Sequence, residues 1–227
     1  MKMKQVKIFS FLLGVAVFFL LVSGVAAKEA KIAQNIGVLQ SFAMVGGGVD
    51  GVYLIDVRTP AEYQQIGHPV MAYNIPAMFL SDEFVEKGGM FRGKKMTKTR
   101  YQYYKNPEFL NYMKKHFKAD NVLLIMCRSG NRSVPASDFL AENGFKRVYN
   151  VVDGFEGGKF KGSSSEDKSL MKKFSEHYGR RGFTGGWKYC GLPWTYMMNS
   201  KLIYGLHNEE LGEKGILGQP PSYIGEK

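Results

Sequence analysis

One cysteine in this sequence stands where a nucleophile would be expected. Cys127 follows a strongly apolar run, residues 121–126, and opens a short polar loop. The loop comprises Cys127, Arg128, Ser129, Gly130, Asn131, Arg132 and Ser133. At the start of a helix, such a loop can turn its backbone amides inward and form a cradle for an anion. The amides, the helix dipole and two guanidinium groups would stabilise a thiolate, so the pattern predicts a nucleophilic Cys127.

The length of this loop bears on which anion it would hold. Cysteine-based phosphatases and arsenate reductases use a loop one residue longer than the four residues that separate Cys127 from Arg132. The shorter cradle suits one sulfur atom on the cysteine better than a phosphate. The structural alternative is a small apolar core cysteine, which is the more common fate of this residue type. The polar loop favours the chemical interpretation, because a core cysteine would be expected inside the strand.

Short apolar runs and helical patterns alternate around this loop. The predicted strands are residues 51–57, 71–75, 121–126 and 147–152. Helices are predicted over residues 28–44, 133–143 and 166–178, and from starts at Thr59 and Asn106. The start at Thr59 is marked by a capping box with Glu62 and by a proline at the first helical position.

This alternation predicts an α/β fold, an open parallel sheet with helices on both faces. Ligands bind beyond the carboxyl ends of the strands in such sheets. Cys127 directly follows the strongest predicted strand and precedes a helix. The predicted fold therefore places this cysteine at the edge of the sheet where chemistry is expected.

Several separated motifs resemble those of the rhodanese-like sulfurtransferases. They are residues 54–63, the Gly67–His68 pair, residues 72–76, the loop 127–133, and residues 148–150 ahead of Gly154 and Gly157. The resemblance covers about residues 35–160, and the combination is far more specific than a lone cysteine motif. It implies the same open parallel α/β sheet and a cysteine that cycles through a persulfide.

The activity implied by this resemblance is transfer of sulfane sulfur from an anionic donor such as thiosulfate. Cys127 would carry the sulfur as a persulfide and pass it to cyanide, a thiol or a protein acceptor. The resemblance implies that amides of residues 128–133 hold the persulfide and that Arg128 and Arg132 pair with donor oxygens. The other predicted donor-binding residues are Ser129, Gly130, Asn131 and Ser133. Asp56 and Arg58 would brace the site together with Glu62, and no cofactor is implied.

Two alternatives to a sulfurtransferase stay open at this point. One is a persulfide carrier or docking module that has little turnover of its own, and the other is a cysteine-based phosphatase or arsenate reductase. Metal binding is unsupported, because His116, His177 and His207 show no ligand spacing with one another. His68, within its Gly-His pair, is expected to stabilise a turn rather than to act as a base.

The charge of the chain favours anionic partners. Thirty-one Lys and Arg against 20 Asp and Glu give a formal net charge of +11. A basic insertion spans about residues 81–118. Residues 87–118 contain ten Lys or Arg residues and a single acidic residue, Glu108. The insertion is either a solvated basic face or a surface that steers an anionic donor or an acidic protein. Nucleic acid is not expected, because the chain is predicted to be exported.

The amino-terminal residues have the pattern of a secretory signal peptide. Three lysines precede an apolar run over residues 8–22, and small residues follow up to Ala27. Residues 1–27 are therefore expected to be removed, which predicts a periplasmic or secreted protein. Membrane attachment is expected only if this segment is not cleaved.

The carboxyl-terminal part of the chain differs in composition from the rest. We expect a catalytic domain over residues 28–160 and an aromatic- and Gly-rich extension over residues 161–227 that packs against it. The second cysteine, Cys190, lies among aromatic residues of this extension. It is predicted to be a buried core residue remote from Cys127. The alternative is a resolving thiol that forms a reversible disulfide with Cys127.

Overall fold

The computed structural model describes residues 29–91, 94–162 and 164–205. The predicted signal peptide, residues 1–27, lies outside the described residues, as does the end of the extension after residue 205. Within the described ranges, no helix is both long and apolar enough to cross a membrane.

Strands and helices alternate along the chain, as the sequence patterns predict. In chain order the elements are β1 (Gln34–Ile36), α1 (Val38–Gly46), β2 (Val52–Asp56), α2 (Pro60–Ile66), β3 (His68–Pro69), β4 (Ala72–Asn74), β5 (Met78–Phe91), β6 (Lys94–Lys105), α3 (Phe109–His116), β7 (Val122–Met126), α4 (Ser133–Glu142), β8 (Arg147–Val151), α5 (Ser165–Phe174) and β9 (Trp194–Thr195).

Five strands form one open sheet in the order β1-β8-β7-β2-β4, and every pairing in it is parallel. β7 is the central strand, and all five of its residues are buried. This confirms the predicted α/β fold class. A parallel sheet needs cover on both faces, because its strands are apolar throughout.

Alternate strand residues supply two hydrophobic cores, one on each face of the sheet. Leu123 and Ile125 of β7 pack in one core with residues of α3 and α4. Leu124 and Met126 of the same strand pack in the other core with residues of α1 and α2. The two-residue period of the strand therefore sets the helices on both faces, as predicted.

The start of α2 follows the predicted capping box. Thr59 Oγ1 accepts a hydrogen bond from the Glu62 amide at 3.2 Å, and the Thr59 amide donates to the Glu62 carboxylate at 3.2 Å. Pro60 occupies the first helical position. Local sequence thus determines where the chain turns after β2.

The amino-terminal region differs from the helix predicted over residues 28–44. The structure has an edge strand, β1, that pairs with β8, and the helix α1 begins only at Val38. The segment before β1 is held by tertiary contacts, since the Asp138 carboxylate of α4 accepts backbone hydrogen bonds from Lys31, Ile32 and Ala33 at 2.8–3.1 Å. The helical spacing of apolar residues was overridden by pairing with the sheet edge.

Much of the basic insertion forms a long antiparallel hairpin of β5 and β6. Its strands pair from Met78↔Lys105 out to Phe91↔Lys94, with an irregularity between Leu80 and Phe84. The predicted helix near Asn106 follows the hairpin as α3. Hydrogen bonds from the Asn106 amide to Ala77 O and from its side chain to Pro76 O close the base of the hairpin.

The chain after β8 returns to both faces of the sheet. Trp187 is fully buried and packs with Leu192 in the core that contains α1 and α2. Backbone hydrogen bonds join the Trp187 amide to Gly154 O and the Lys188 amide to Phe155 O, both at 2.9 Å. β9 pairs antiparallel with β3, and Leu202 and Tyr204 enter the other core.

The helix α5 lies within this returning segment and is shorter than the predicted span 166–178. Ser164 caps its start by accepting a hydrogen bond from the Asp167 amide at 2.9 Å. None of its side chains is buried, and Leu170 and Phe174 are largely exposed. The apolar positions that predicted this helix therefore do not contribute to either core.

Replacing Trp187 by alanine tests the contribution of the returning segment to stability. Because the indole is fully buried, we expect Trp187→Ala to lower the free energy of unfolding by about 3 to 5 kcal/mol in urea titrations. The matched control is Tyr189→Ala, which removes an exposed ring two residues away and should cost less than about 0.5 kcal/mol. Equal losses in the two variants would contradict the packing of the indole in the core.

Candidate active site

The site lies at the point where the strand order of the sheet reverses, between β2 and β7. From β2 the chain proceeds to β4 on one side, whereas β7 pairs with β2 on the other side. The connections that follow β2 and β7 carry α2 and α4, which cover opposite faces. A crevice forms between such connections at the carboxyl ends of the strands. Cys127 directly follows β7 and lies at this crevice.

The Cys127 loop wraps around the sulfur atom and leads into α4. Cys127 is fully buried by its neighbours, and its Sγ accepts a hydrogen bond from the Gly130 amide at 3.2 Å. Gly130 has φ +87°, a conformation that other residues rarely adopt. Its carbonyl accepts a hydrogen bond from the Val134 amide at 3.2 Å, within the first turn of α4. The sulfur therefore lies near the amino terminus of a helix, where negative charge is stabilised.

The amides of residues 128–133 were all expected to face the sulfur. Among the described residues, Gly130 is the loop residue whose amide hydrogen-bonds to Sγ. Ser133, the first residue of α4, is fully buried, and its Oγ has no hydrogen-bond partner among the described residues. The loop thus presents one amide directly to the sulfur and has an unused hydroxyl nearby in sequence.

A turn after β8 holds the loop from behind. The Phe155 amide donates to Cys127 O at 2.8 Å, and the Glu156 amide donates to Arg128 O at 3.0 Å. Gly154 has φ +59°, and a Cβ atom at this position would lie 2.3 Å from Cys127 O. Only glycine allows the turn to approach the loop this closely.

Both arginines of the loop are paired with carboxylates. Arg128 forms a salt bridge with Glu156, and Arg132 forms a two-pronged salt bridge with Glu62. Burial by itself lowers the pKa of Arg132, but the hydrogen bonds and charge of Glu62 outweigh it and hold that pKa above its ordinary value. The sequence predicted that these two guanidinium groups pair with donor oxygens. In the structure their charges are already balanced by the protein.

Asp56 and Arg58 form a second, fully buried ion pair next to the loop. Three hydrogen bonds of 2.6–2.9 Å join the two side chains, and Arg58 Nη2 also donates to Gly67 O at 2.8 Å. The guanidinium of Arg58 lies 4.4 Å from the ring centroid of Phe155. The pair therefore connects the end of β2, the turn after α2 and the turn that supports Cys127, an arrangement suited to bracing. Glu62, expected to join this pair, binds Arg132 instead.

A cavity of about 710 Å³ opens at the Cys127 loop. The loop contributes Cys127, Arg128, Ser129, Asn131 and Arg132, and the rest of the lining is Glu62, Met78, Val85, Arg100, Gln102, Tyr103 and Arg181. Five of these residues lie in the hairpin of β5 and β6, and Arg181 belongs to the segment after β8. A larger cavity, about 880 Å³, lies near the amino ends of β2 and β7 and contains no predicted site residue.

Sequence reasoning missed Arg100 and Arg181 as candidate site residues. Arg100 was grouped with the other cations of the insertion, and Arg181 lies in the Arg180–Arg181 pair of the extension, which was not singled out. The positive charge of the insertion was the one available signal for Arg100. Neither position is near Cys127 in sequence, so only the fold brings them to the cavity.

His68 packs against an aromatic ring and two backbone carbonyl groups. His68 is buried and stacks on Tyr63 at 3.6 Å, with Nδ1 3.0 Å from Tyr63 O and Nε2 3.2 Å from Met197 O. Burial lowers the pKa of His68 despite these carbonyl neighbours. Among the described residues, no group of three or more His, Cys, Asp or Glu side chains could hold a metal ion. His207 lies outside the described residues.

The prediction that Cys190 is buried was wrong. Cys190 is exposed, and both cysteines are free thiols. Trp187 fills the core from this turn, whereas the neighbouring positions Tyr189 and Gly191 face solvent together with Cys190. The aromatic and apolar composition of this segment therefore predicted more burial than the structure shows, since Trp187 is buried but the residues around Cys190 are not.

The sequence is similar to several known proteins. The family model described as Rhodanese-like domain matches residues 43–161, which include the Cys127 loop. An uncharacterized protein of Rickettsia prowazekii is 31% identical over 149 residues, covering 65% of this chain and 85% of that protein. The chloroplastic Thiosulfate sulfurtransferase 16 of Arabidopsis thaliana is 28% identical over 129 residues, covering 57% of this chain and 89% of that protein.

A solved structure is similar in fold to this chain. The crystal structure of Rv0390 from M. tuberculosis has a TM-score of 0.50 and 27% sequence identity. The match covers 74% of this chain and 100% of that one.

Gly154 provides a test of how the loop is supported. Gly154→Ala would place a methyl group against Cys127 O, so we expect it to lower the free energy of unfolding by about 1 to 3 kcal/mol more than a matched glycine substitution. The matched substitution is Gly48→Ala, where φ is +64° and no atom lies within 4 Å of the added Cβ. Urea unfolding of both variants measures the difference. Equal destabilisation would show that backbone strain alone matters and that the turn does not press on the loop.

Proposed function

Because this chain belongs to the rhodanese-like domain family, we propose that it is a sulfurtransferase that carries sulfane sulfur on Cys127. The observation that supports this most directly is the position of Cys127 Sγ. It accepts a hydrogen bond from a loop amide near the amino terminus of α4, beside a cavity lined by four arginines. This surrounding suits an anionic sulfur nucleophile and an anionic donor.

The first half of the proposed reaction loads the cysteine. The Cys127 thiolate attacks the outer sulfur of a donor such as thiosulfate, and a sulfur–sulfur bond forms to Cys127 Sγ. The bond between the two sulfur atoms of thiosulfate breaks, and its electron pair leaves with sulfite. The product is a Cys127 persulfide, a covalent intermediate of the kind that divides a transfer into two easier steps.

The second half returns the cysteine to its starting state. A nucleophile such as cyanide or a thiolate attacks the terminal sulfur of the persulfide, and the electron pair of the broken sulfur–sulfur bond returns to Cys127 Sγ. Cyanide becomes thiocyanate, whereas a thiolate becomes a new persulfide. The Gly130 amide and the end of α4 stabilise the negative charge on Sγ in the free enzyme and as the leaving group.

Substitution of Cys127 tests this proposal. Cys127→Ser should abolish thiosulfate-dependent formation of thiocyanate, since a serine hydroxyl cannot carry sulfane sulfur in this cycle. Mass spectrometry after thiosulfate treatment should show one added sulfur atom on Cys127 in the unsubstituted protein and none in the variant. Cys190→Ser is the matched control, because it removes the other free thiol. It should retain turnover, since Cys190 does not carry the sulfur in the proposed reaction.

Three results would each contradict part of the proposal. Turnover that persists in Cys127→Ser would exclude Cys127 as the carrier. A stable persulfide without turnover toward cyanide or a dithiol would identify a persulfide carrier instead of an enzyme. Hydrolysis of phosphate esters that depends on Cys127 would identify a phosphatase, despite the short loop.

A further inference from the structure

The four arginines at the cavity differ in how their charge is balanced. Arg128 and Arg132 each bind a glutamate, as described above. Among the described residues, no carboxylate lies within salt-bridge distance of the other two, Arg100 and Arg181. The positive charge available to a ligand at this cavity therefore comes from outside the Cys127 loop.

Arg181 faces the cavity from the segment after β8. It is partly buried, and its Nη1 donates to Gly157 O at 2.9 Å. Burial lowers the pKa of Arg181, and the nearby charge of Arg128 lowers it further, whereas Glu156 and Cys127 raise it. The guanidinium keeps further N–H donors besides the one that binds Gly157 O. A partly desolvated cation with unused donors is suited to binding an oxyanion.

Arg100 reaches the same cavity from the hairpin. It lies on β6 at the register position opposite Val85, which also lines the cavity. Tyr103 on the same strand lies beside the loop, and its ring centroid is 5.9 Å from the guanidinium of Arg132. The hairpin thus lies beside the loop, and the exposed side chain of Arg100 lines the cavity there.

We infer that Arg100 and Arg181 form a two-arginine binding site for the oxyanion end of the sulfur donor, in the same cavity that Cys127 lines. The inference rests on the proposed function and assigns donor recognition to the hairpin and to the segment after β8. A sulfonate group has three oxygens that two guanidinium groups can share, leaving the outer sulfur directed to Cys127 Sγ. Arg128 and Arg132 then hold the loop in shape through Glu156 and Glu62.

Binding of thiosulfate can be measured without turnover. The full chain carrying Cys127→Ser is titrated with thiosulfate by calorimetry, alone and combined with Arg181→Gln or Arg100→Gln. Each added substitution should weaken binding by about tenfold or more, the loss expected for a hydrogen-bonded charge pair. In the protein with Cys127, kcat/KM for thiosulfate should fall by a similar factor. Both variants should still unfold cooperatively in urea, although Arg181→Gln loses the hydrogen bond to Gly157 O.

Two matched variants separate recognition from general charge. Arg180→Gln removes the neighbouring exposed arginine, and Lys95→Gln removes an exposed hairpin cation, and neither residue lines the cavity. Each control should change the dissociation constant by less than about twofold, since exposed charges away from the ligand interact weakly with it. Arg181→Lys keeps the charge but loses the planar arrangement of donors. Its affinity for thiosulfate should therefore lie between that of the protein with Arg181 and that of Arg181→Gln.

The outcomes distinguish this inference from the proposed function. If thiosulfate binds in an Arg100- and Arg181-dependent manner but no sulfur is transferred, the binding site stands and the sulfurtransferase proposal fails. If sulfur is transferred but the two substitutions weaken binding no more than their controls, the binding site is overturned and the sulfurtransferase proposal stands. Failure of thiosulfate to bind the Cys127→Ser protein would also overturn the binding site.

Discussion

The arrangement of the site depends on a buried ion pair beside the cysteine loop. Asp56 and Arg58 are both fully removed from solvent, and each would be strongly unfavourable there without the other. Arg58 also binds Gly67 O and stacks on Phe155, whose amide holds Cys127 O. One pair of charges therefore connects three loops, and loss of either partner would leave an isolated buried charge next to the nucleophile.

A second layer of charge lies nearer to solvent. Glu62 joins the start of α2 to the loop, because it caps that helix and also binds Arg132. Glu156 follows the supporting turn and binds Arg128. These carboxylates balance the charge of the loop arginines, so the side chains of the loop and their partners are together nearly neutral. An anionic donor would then depend on cations supplied by other parts of the chain.

The sheet on one hand, and the β5–β6 hairpin and the segment after β8 on the other, contribute different parts of the site. The five parallel strands place Cys127 and the Asp56–Arg58 pair at the carboxyl ends of β7 and β2, where the strand order reverses. The hairpin of β5 and β6 and the segment after β8 form the outer walls of the cavity. Variation in these additions would change the ligand without altering the position of the nucleophile, since loops at a sheet edge tolerate change better than buried strands do.

The sequence by itself determined the elements whose signals are local. Short apolar runs predict β2, β7 and β8, the Thr59–Glu62 box predicts the start of α2, and the small polar loop after β7 marks Cys127. Tertiary structure decided whatever depends on residues distant in the chain. It pairs Arg132 with Glu62, turns the predicted first helix partly into an edge strand, buries Trp187 while exposing Cys190, and brings Arg100 and Arg181 to the cavity. The physical reason is that caps and periodicity involve neighbours within a turn or two, whereas burial and charge pairing depend on partners that only the packing of the sheet brings together.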